Sequence, residues 1–396
     1  MTAIGPLAAP ADGLTQAEAQ RASRHLSLPG FGIDAQLRLK TARVLVIGAG
    51  GLGSPVLLYL AAAGVGTIGI VDDDTVDVTN LQRQVIHTTA DIGRPKATSA
   101  AEKITNLNPH VTVETFIERL SPDNAAGLVD GWDVVIDGTD NFATRYVASD
   151  ACTLAGVPCV WGSILRFNGQ VSVFWTGHGP TYRDLHPEPA PPGEVPSCAE
   201  GGVLGVLPGT IGSVMATEAI KLLTGIGQPL LGRVLLFDAL TMSWRELTLA
   251  PDPEAGEVTS IGEPTAEASC QAPPPTASGT GESITASELA QQLQDGGEAS
   301  LVVIDVREPW EREIAAIPQA VAVPLAEIDA HGWDALPQLE GKETCVLSCK
   351  SGVRSRQAIE FLSARAGGGE TLPRLVNLTG GIDAWAETVD GQMARY

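Results

Sequence analysis

The sequence predicts an α/β protein of two units, a larger one with a mainly parallel sheet and a smaller one that follows it. From residue 21 to 250, strand-like apolar runs alternate with helical stretches and glycine turns, a pattern typical of a parallel sheet with helices on both faces. Residues 251–283 are rich in Pro, Gly, Ser, Thr and acidic residues and contain no Lys or Arg. We therefore expect a domain at 21–250, a flexible linker at 251–283 and a second α/β domain at 284–396.

The apolar runs predict the individual elements in chain order. In the larger unit we predict a helix at 210–223 and strands at 43–47, 67–72, 111–116, 134–137, 169–175 and 233–249. In the smaller unit we predict strands at 301–305 and 344–348. Residues 1–20 are rich in Ala, Pro and Gly and are expected to be flexible. Residues 176–202 contain six prolines, which predict a long irregular loop.

Composition excludes several classes of function. The 396 residues carry a formal net charge of −22, from 47 acidic and 25 basic residues, so we expect no nucleic-acid partner. No apolar run reaches the roughly 18 residues that span a bilayer, and the first residues do not resemble a signal peptide. We therefore expect no membrane association and a cytoplasmic location. The six cysteines form no CxxC pair, so each is expected to be a buried apolar residue or a working thiol.

A glycine-rich loop follows the first predicted strand and opens a helix. Its sequence, Gly48-Ala-Gly-Gly-Leu-Gly53, places Gly48, Gly50, Gly51 and Gly53 where backbone N–H groups at a helix N-terminus can bind phosphate. The next predicted strand ends at Asp72, whose carboxylate can accept hydrogen bonds from both ribose hydroxyls. These features predict a Rossmann-like nucleotide site, and alone they favour a nicotinamide or flavin enzyme.

Polar residues beyond the sugar-binding strand distinguish between nucleotide chemistries. Asn80 and Arg83 come soon after that strand, and Lys96 follows them. An acid and an amide, Asp140 and Asn141, come after the strand at 134–137. A hydride-transfer enzyme has no need for such a cationic clamp beside an isolated acid. Arg and Lys neutralise the charge of a triphosphate, and a carboxylate can hold Mg²⁺. The set therefore predicts nucleotidyl transfer from ATP, with Asp140 as the metal ligand.

Five segments, in order along the chain, carry a family resemblance. They are Arg21-Ala-Ser-Arg24-His25, the glycine loop, Asn80-Leu-Gln-Arg-Gln84, Thr139-Asp-Asn141 and Cys198-Ala-Glu-Gly-Gly-Val-Leu-Gly205. Residues 21–250 thereby resemble the ubiquitin-activating-enzyme superfamily, specifically the bacterial adenylyltransferases that activate molybdopterin-synthase and thiamin sulfur carriers. The resemblance implies that Asp72 binds ribose and that Asn80, Arg83 and Lys96 hold the phosphates. It also implies that Asp140 positions Mg²⁺.

Two residues of this set also have a purely structural explanation. The resemblance implies a homodimer in which Arg24 reaches the ATP of the partner subunit. Considered without the resemblance, Arg24 is also compatible with a solvated surface residue. Asp140 is similarly compatible with a cap for the helix that begins near Phe142. The order and spacing of the whole set favour the catalytic interpretation.

The sequence departs from this family at the zinc site. Many members hold zinc with two CxxC pairs, but the matching segments here, 181–184 and 252–259, contain no cysteine, so we predict no zinc. Cys198, at the end of the proline-rich loop, matches a cysteine that can bond to the carrier's C-terminus or to a second sulfur. We predict that role, and the alternative is a small buried residue. Cys152 and Cys159 lie in apolar surroundings and are predicted core residues.

A second reactive loop lies in the smaller unit. It runs Cys349-Lys-Ser-Gly-Val-Arg354 between a predicted strand and helix, so backbone N–H groups, the helix dipole and Arg354 are expected to stabilise the cysteine's anion. Cysteine phosphatases place five residues between Cys and Arg, and this loop has four. Together with Asp305-Val-Arg-Glu308 and Leu378-Thr-Gly-Gly-Ile-Asp-Ala-Trp385, the loop resembles the rhodanese family. The resemblance implies that Cys349 carries a persulfide.

Together these patterns predict a bifunctional adenylyltransferase and sulfurtransferase. ATP and Mg²⁺ would convert the C-terminal Gly-Gly carboxylate of a small ubiquitin-like sulfur carrier into an acyl-adenylate. Cys349, charged as a persulfide by a cysteine desulfurase or by thiosulfate, would then attack it to give a thiocarboxylate. Two alternatives stay open: a sulfur-trafficking scaffold with a silent nucleotide domain, and a nicotinamide-dependent oxidoreductase. Molybdenum cofactor, thiamin, cysteine and thiolated natural-product synthesis, and tRNA thiolation, all use such proteins.

Overall fold

The computed structural model describes residues 4–188, 202–252, 257–262, 282–295, 300–339, 341–365 and 373–395. The chain divides into two compact units, residues 1–270 and 271–396, and each has hydrophobic core clusters of its own. None of the described helices is both long and apolar enough to cross a membrane.

Within the described residues, the first unit is an eight-stranded sheet with flanking helices. Its strands are β1 (Arg43–Ile47), β2 (Thr67–Val71), β3 (Thr112–Phe116), β4 (Val134–Asp137), β5 (Cys159–Leu165), β6 (Asn168–Phe174), β7 (Arg233–Asp238) and β8 (Ser243–Thr248). Its helices are α1 (Gln16–Arg21), α2 (Ser23–Leu26), α3 (Gly32–Thr41), α4 (Gly53–Ala63), α5 (Lys96–Leu107), α6 (Pro122–Val129), α7 (Phe142–Ala155), α8 (Tyr182–Leu185) and α9 (Leu207–Thr224). The sheet order is β3–β2–β1–β4–β5–β6–β7–β8, parallel as far as β5 and antiparallel from β5 to β8. The predicted Rossmann-like, mainly parallel fold is confirmed.

Strand β1 shows why short apolar runs become the central strands of this sheet. Val44 and Val46 pack in one core cluster, whereas Leu45 and Ile47 pack in another. Successive residues of a strand point to opposite faces, so β1 is buried on both sides and reads as a continuous apolar run. The strand order reverses between β1 and β4, and ligands of such sheets bind in the crevice at the carboxyl ends of these two strands.

The second unit contains a smaller sheet of five parallel strands among its described residues. Its strands are β9 (Glu282–Ile284), β10 (Leu301–Asp305), β11 (Val321–Ala322), β12 (Thr344–Ser348) and β13 (Arg374–Leu378), in the order β11–β10–β12–β13–β9. Its helices are α10 (Ala286–Gln294), α11 (Pro309–Ile314), α12 (Leu325–His331), α13 (Val353–Ala364) and α14 (Gly381–Thr388). The loop predicted to carry the reactive cysteine leaves the carboxyl end of β12, the middle strand of this sheet.

The apolar run at 233–249, predicted as one strand, is a hairpin of β7 and β8. The strands pair antiparallel from Arg233 opposite Thr248 to Asp238 opposite Ser243. The Asp238 side chain accepts the backbone N–H of Leu240 at 2.9 Å, which stabilises the turn. Because apolar residues continue through the turn, hydrophobicity alone does not reveal it.

The N-terminal segment packs against the first unit from Leu7 onward, which corrects the prediction of a flexible stretch at 1–20 for its described residues, 4–20. Leu7 donates its backbone N–H to the carbonyl of Leu222 in α9 at 3.1 Å, and the side chain of Ala8 is buried. Helix α1 then begins at a capping box formed by Thr15 and Glu18. The composition of residues 1–20 does not indicate this packing, because the partner helix α9 lies much further along the chain.

Part of the predicted linker also packs on the first unit. Gly262 donates its backbone N–H to Oδ2 of Asp150 at 3.0 Å, and Ile261 packs against the core cluster that contains Leu45. Residues 263–281, where most of the linker is predicted, lie outside the described residues.

Candidate active sites

The glycine loop lies at the crevice between β1 and β4. A Cβ on Gly53, the first residue of α4, would lie 1.9 Å from the carbonyl oxygen of Gly48, so only glycine fits there. Gly48 in turn lies against Gly138, the residue after β4. Gly50 and Gly51 form the turn between them, which leaves backbone N–H groups at the start of α4 available to a phosphate.

Asp72 follows β2 at the same edge of the sheet. One of its oxygens accepts the backbone N–H of Ala49 at 2.7 Å, and the other accepts that of Asp74 at 2.9 Å. Burial raises the pKa of Asp72, and the charge of Lys96 opposes that rise. Lys96, the first residue of α5, is buried, with its Nζ 2.9 Å from Oδ2 of Asp74. The predicted ribose acid and phosphate lysine therefore share one cluster, in which Asp74, a residue without a predicted role, pairs with the lysine.

Asn80 and Arg83 lie on a half-buried turn beside the glycine loop. A short 3₁₀-helix ends at Asn80, whose carbonyl accepts the backbone N–H of Arg83 at 3.0 Å. The guanidinium of Arg83 donates to the carbonyl of Thr79 at 3.1 Å, and its Cγ would be 3.6 Å from a Cβ built on Gly51. The long side chain is thus anchored close to the loop that it is predicted to assist.

The loop after β4 is held from both sides. The buried carboxylate of Asp137 accepts the backbone N–H of Thr139 at 3.0 Å and its hydroxyl at 2.7 Å. Burial raises the pKa of Asp137, and the charge of Arg145 opposes the rise. Arg145, on α7, also donates to the carbonyl of Thr139 at 2.9 Å. These contacts fix the backbone just before Asp140.

The two residues after Thr139 have different roles. Asn141 caps α7, because its Oδ1 accepts the backbone N–H of Thr144 at 2.8 Å. Asp140 is exposed, and the cap belongs to its neighbour, so the capping alternative does not apply to Asp140. The side-chain oxygen of Asn141 is committed to the helix, which leaves its amide nitrogen for the predicted nucleotide contact.

A buried histidine without a predicted role supports the glycine loop. Nε2 of His87 lies 2.9 Å from the carbonyl oxygen of Ala49, and its Nδ1 lies 2.9 Å from Oγ of Ser99. Burial lowers the pKa of His87. His87 and Ala49 are 38 residues apart in the sequence, so no local motif indicates their contact.

Arg24 and Cys198 are not brought to this crevice by the described residues. Arg24 lies exposed on α2, where its carbonyl accepts the hydroxyl of Ser27 at 3.1 Å. Cys198 lies outside the described residues. The roles of both residues stay predictions.

Cys152 and Cys159 are buried, and both pack in the core cluster that contains Leu45. The neighbouring Cys152 thiol and burial raise the pKa of Cys159 well above its usual value. Both positions therefore have the surroundings expected of core cysteines.

A carboxylate joins the two segments that match the zinc-binding pairs of the family. Oδ2 of Asp184 accepts the backbone N–H of Thr181 at 2.6 Å, and Oδ1 accepts that of Asp252 at 2.7 Å. Arg183 forms a bidentate pair with the buried Asp150 at 2.8 and 2.9 Å. In the part of the chain that the structure describes, no three His, Cys, Asp or Glu side chains are grouped to hold a metal. The contacts that join the segments at Thr181 and Asp252 are hydrogen bonds from backbone N–H groups to the carboxylate of Asp184.

The second candidate site is the loop after β12. The Sγ of the buried Cys349 accepts the backbone N–H of Gly352 at 3.1 Å and lies 3.4 Å from Oγ of Ser355. The single hydrogen of the Ser355 hydroxyl is donated to Oδ1 of Asn377 at 2.6 Å, which holds the serine side chain beside the sulfur. Helix α13 begins at Val353, within the last two residues of the predicted loop, so the positive end of its dipole lies near the sulfur. Such a cradle of donors suits an anionic sulfur.

Gly380 and Gly381, in the C-terminal motif of the rhodanese resemblance, pack against the backbone of this loop. A Cβ on Gly381 would lie 2.3 Å from the carbonyl oxygen of Cys349 and 2.4 Å from that of Lys350. The backbone N–H groups of Ile382 and Asp383 donate to the same two carbonyls at 2.9 and 3.2 Å. Only glycine permits this approach, so the motif maintains the shape of the reactive loop.

Arg354, at the end of the reactive loop, is paired with a carboxylate. Its two terminal nitrogens lie 2.7 and 2.6 Å from the oxygens of the buried Glu311. The guanidinium of Arg354 is therefore held in place by Glu311, and its role toward the sulfur of Cys349 stays a prediction. Asp305 and Arg307 form a separate buried pair, 2.6 Å apart at the end of β10.

Both units match known protein families. The ThiF family model matches residues 22–258, and the rhodanese-like domain model matches residues 285–388. The probable adenylyltransferase/sulfurtransferase MoeZ of Mycobacterium tuberculosis is 51% identical over 400 residues, covering 100% of both chains. The adenylyltransferase and sulfurtransferase MOCS3 of Sus scrofa is 39% identical over 421 residues, covering 99% of this chain and 90% of that protein. The sulfur carrier protein adenylyltransferase of Thermus thermophilus is 53% identical over 244 residues, covering 60% of this chain and 90% of that protein.

Solved structures share the fold at lower identity. PaaA aligns with a TM-score of 0.53 and 23% identity, covering 61% of this chain and 76% of that chain. E. coli MccB with ATP aligns with a TM-score of 0.53 and 19% identity, covering 59% of this chain and 73% of that chain. At these identities the likeness supports the fold alone.

The nucleotide crevice and the cradled cysteine define a class of two-site enzyme in which nucleotide chemistry is joined to sulfur chemistry. The chain belongs to the ThiF family, in the group whose members carry a C-terminal rhodanese-like domain. It is a bifunctional adenylyltransferase and sulfurtransferase, as the sequence predicts, and its use of ATP follows from the adenylyltransferase class.

Proposed function

We propose that this enzyme adenylylates the C-terminal Gly-Gly carboxylate of a small ubiquitin-like sulfur carrier and converts it to a thiocarboxylate. The proposal is carried by one observation, the presence in one chain of a phosphate-binding crevice with Lys96 and Asp140 and of a cradled Cys349. The relative from Thermus thermophilus is named a sulfur carrier protein adenylyltransferase, which supports a partner of this class.

In the first half-reaction, an oxygen of the carrier carboxylate attacks the α-phosphorus of ATP and pyrophosphate leaves. The backbone N–H groups of the glycine loop and the ammonium of Lys96 offset the phosphate charge. Arg83 and Asn80, on the adjoining turn, assist at the outer phosphates. Asp72, already oriented by two backbone N–H groups, accepts the ribose hydroxyls with its remaining lone pairs.

Asp140 is the residue we propose as the ligand of Mg²⁺. Its carboxylate is exposed, its loop is fixed by Asp137 and Arg145, and Mg²⁺ prefers oxygen ligands, so the residues present fit the ion. Asp140 would hold Mg²⁺ there, and the ion would supply positive charge for the leaving pyrophosphate. The contribution of the chain is a carboxylate held at a constant position beside the crevice.

In the second half-reaction, the terminal sulfur of the Cys349 persulfide attacks the acyl-adenylate carbonyl. A carbon–sulfur bond forms, and the carbon–oxygen bond to AMP breaks. A second thiolate, for which we propose Cys198, then attacks Sγ of Cys349 and releases the thiocarboxylate, leaving a disulfide between the two cysteines. A cellular dithiol reduces that disulfide by two electrons, and a cysteine desulfurase or thiosulfate restores the persulfide.

The experiment that tests this function uses full-length enzyme, candidate carriers ending in Gly-Gly, ATP, Mg²⁺ and a persulfide donor. Mass spectrometry is expected to show carrier with one oxygen replaced by sulfur, only when ATP and donor are both present. Carriers without the terminal glycine are the control and should stay unmodified. If every carrier stayed unmodified while the enzyme transferred sulfur from thiosulfate to cyanide, the function would be sulfur trafficking alone.

We further propose a homodimer in which Arg24 completes the nucleotide site of the partner subunit. Arg24→Ala and Lys96→Ala proteins are each expected to be inactive in pyrophosphate exchange. Mixing them should restore activity, because one site of each mixed dimer keeps both side chains. Arg21→Ala is the matched control, since Arg21 is also exposed but donates to the carbonyl of Leu107 at 2.9 Å. No recovery after verified subunit exchange would mean that Arg24 acts within its own chain.

A further inference from the structure

We propose that His87 is a positioning residue for the phosphate loop: by holding the carbonyl of Ala49, it turns the N–H of Gly50 toward the phosphates of ATP. This inference deepens the adenylylation proposed above and rests on it. It concerns the nucleotide crevice alone and not the sulfur step.

The contacts of His87 define which ring nitrogen carries the hydrogen. A carbonyl oxygen only accepts hydrogen bonds, so the 2.9 Å contact with Ala49 places the hydrogen on Nε2. Nδ1 then has a lone pair and accepts the hydroxyl hydrogen of Ser99 at 2.9 Å. Burial lowers the pKa of His87, and the charge of Lys96 adds to that effect, which favours the neutral ring that this arrangement requires.

Peptide geometry transmits the effect of His87 to the next residue. The peptide bond is planar and trans, so the carbonyl of Ala49 and the N–H of Gly50 point in opposite directions. When the buried ring holds the carbonyl on the protein side, the N–H faces the crevice. The preceding peptide is held as well, because Ala49 donates its own N–H to Asp72 at 2.7 Å. The ribose acid and His87 thus clamp Ala49 from both sides.

Helix α5 links this clamp to the phosphate lysine. Ser99, which orients the ring of His87, lies one turn after Lys96 in the first half of the helix. Both side chains are buried, and Lys96 pairs with Asp74 at 2.9 Å. One helical turn therefore orients a cation for the phosphates and, through His87, a backbone donor. A loop held in its binding conformation binds phosphate without an additional ordering cost.

Steady-state ATP–pyrophosphate exchange with full-length His87→Ala and His87→Gln proteins tests the proposal. His87→Ala releases the Ala49–Gly50 peptide, so the KM for ATP is expected to rise about tenfold, as for the loss of one positioned hydrogen bond, with a smaller change in kcat. Glutamine keeps an N–H donor, so its KM is expected within about threefold of wild type. Sulfur transfer from thiosulfate to cyanide should be unchanged in both. If His87→Ala does not fold, Ser99→Ala releases only the ring orientation and should raise KM in the same direction.

Asn108→Ala is the matched control for lost stability. Asn108 is buried like His87, and its amide donates to the carbonyl of Ala61, near the other end of α4, at 2.8 Å. It should lower the melting temperature while the KM for ATP stays at the wild-type value. An unchanged KM in the His87 and Ser99 variants, or a rise shared by Asn108→Ala, would overturn the positioning role. Absence of exchange in the wild-type enzyme would instead refute the proposed adenylylation.

Discussion

Replacing Cys349 with alanine is expected to abolish thiocarboxylate formation while pyrophosphate exchange continues at the wild-type rate. The backbone N–H of Gly352 and the hydroxyl of Ser355 contact the sulfur of Cys349, at 3.1 and 3.4 Å, and alanine removes that sulfur without altering the nucleotide crevice. Sulfur transfer from a persulfide donor should fall by at least about 10³-fold, as for loss of a nucleophile. The carrier should accumulate as the acyl-adenylate, which mass spectrometry detects.

Cys345→Ala is the matched control for this variant. Cys345 lies on β12, the strand that ends just before Cys349, and is buried in the core, where burial raises the pKa of its thiol to about 12. Its removal costs packing but no nucleophile, so sulfur transfer should persist. Free sulfide at high concentration is expected to bypass Cys349, because the acyl-adenylate is already electrophilic. A normal rate of thiocarboxylate formation from a persulfide donor by Cys349→Ala would place the rhodanese-like unit outside the reaction.

Lys96→Ala and Asp140→Ala are each expected to lower carrier-dependent pyrophosphate exchange by about 10²–10³-fold. Each change removes one charge from the crevice: Lys96 is buried beside Asp74, and Asp140 is exposed on a fixed loop. Transfer of sulfur from thiosulfate to cyanide should be unaffected, because Cys349 lies in the other unit. Exchange assays with and without carrier measure the first effect, and the cyanide assay measures the second.

Lys103→Ala is the matched control for the lysine variant. Lys103 lies on the same helix and pairs with the buried Asp91 at 3.1 Å, so its loss removes a cation without removing a predicted phosphate contact. Exchange by this variant should remain close to wild type. Near-normal exchange by Lys96→Ala or Asp140→Ala would exclude that residue from the proposed site.

Elements that depend on a short stretch of neighbouring residues could be predicted from the sequence. Strands β1 and β12 match their predicted bounds, because each is an apolar run that ends at a distinctive loop. The glycine loop, Asp72 and Asp140 follow parallel strands, so the fold class alone places them at one edge of the sheet. Which of Asp140 and Asn141 caps α7 could not be predicted, because Asn and Asp are almost equally good N-cap residues. The backbone after Thr139 gives the cap to Asn141.

Contacts between distant parts of the chain could not be predicted. His87 reaches Ala49 across 38 residues, and Glu311 reaches Arg354 across 43. The two partners of each pair lie in separate segments, and a polar residue in a sequence does not indicate which partner the folded chain will bring to it. The packed segment at Ala8 has the same explanation, because its neighbours come from the far end of the first unit. Tertiary structure supplies these partners.

The anchor at Asp184 has a consequence for an enzyme that handles reactive sulfur. A persulfide donates sulfur to thiolates that it meets, so cysteine thiolates are potential competitors of the intended sulfur acceptor. Asp184 joins Thr181 to Asp252 through a carboxylate and two backbone N–H groups, none of which exchanges sulfur. The carboxylate and the two N–H groups that form this contact also contain no thiolate for peroxide to oxidise. The contact between Thr181, Asp184 and Asp252 should therefore not react with persulfide sulfur, and we expect it to persist under oxidative stress.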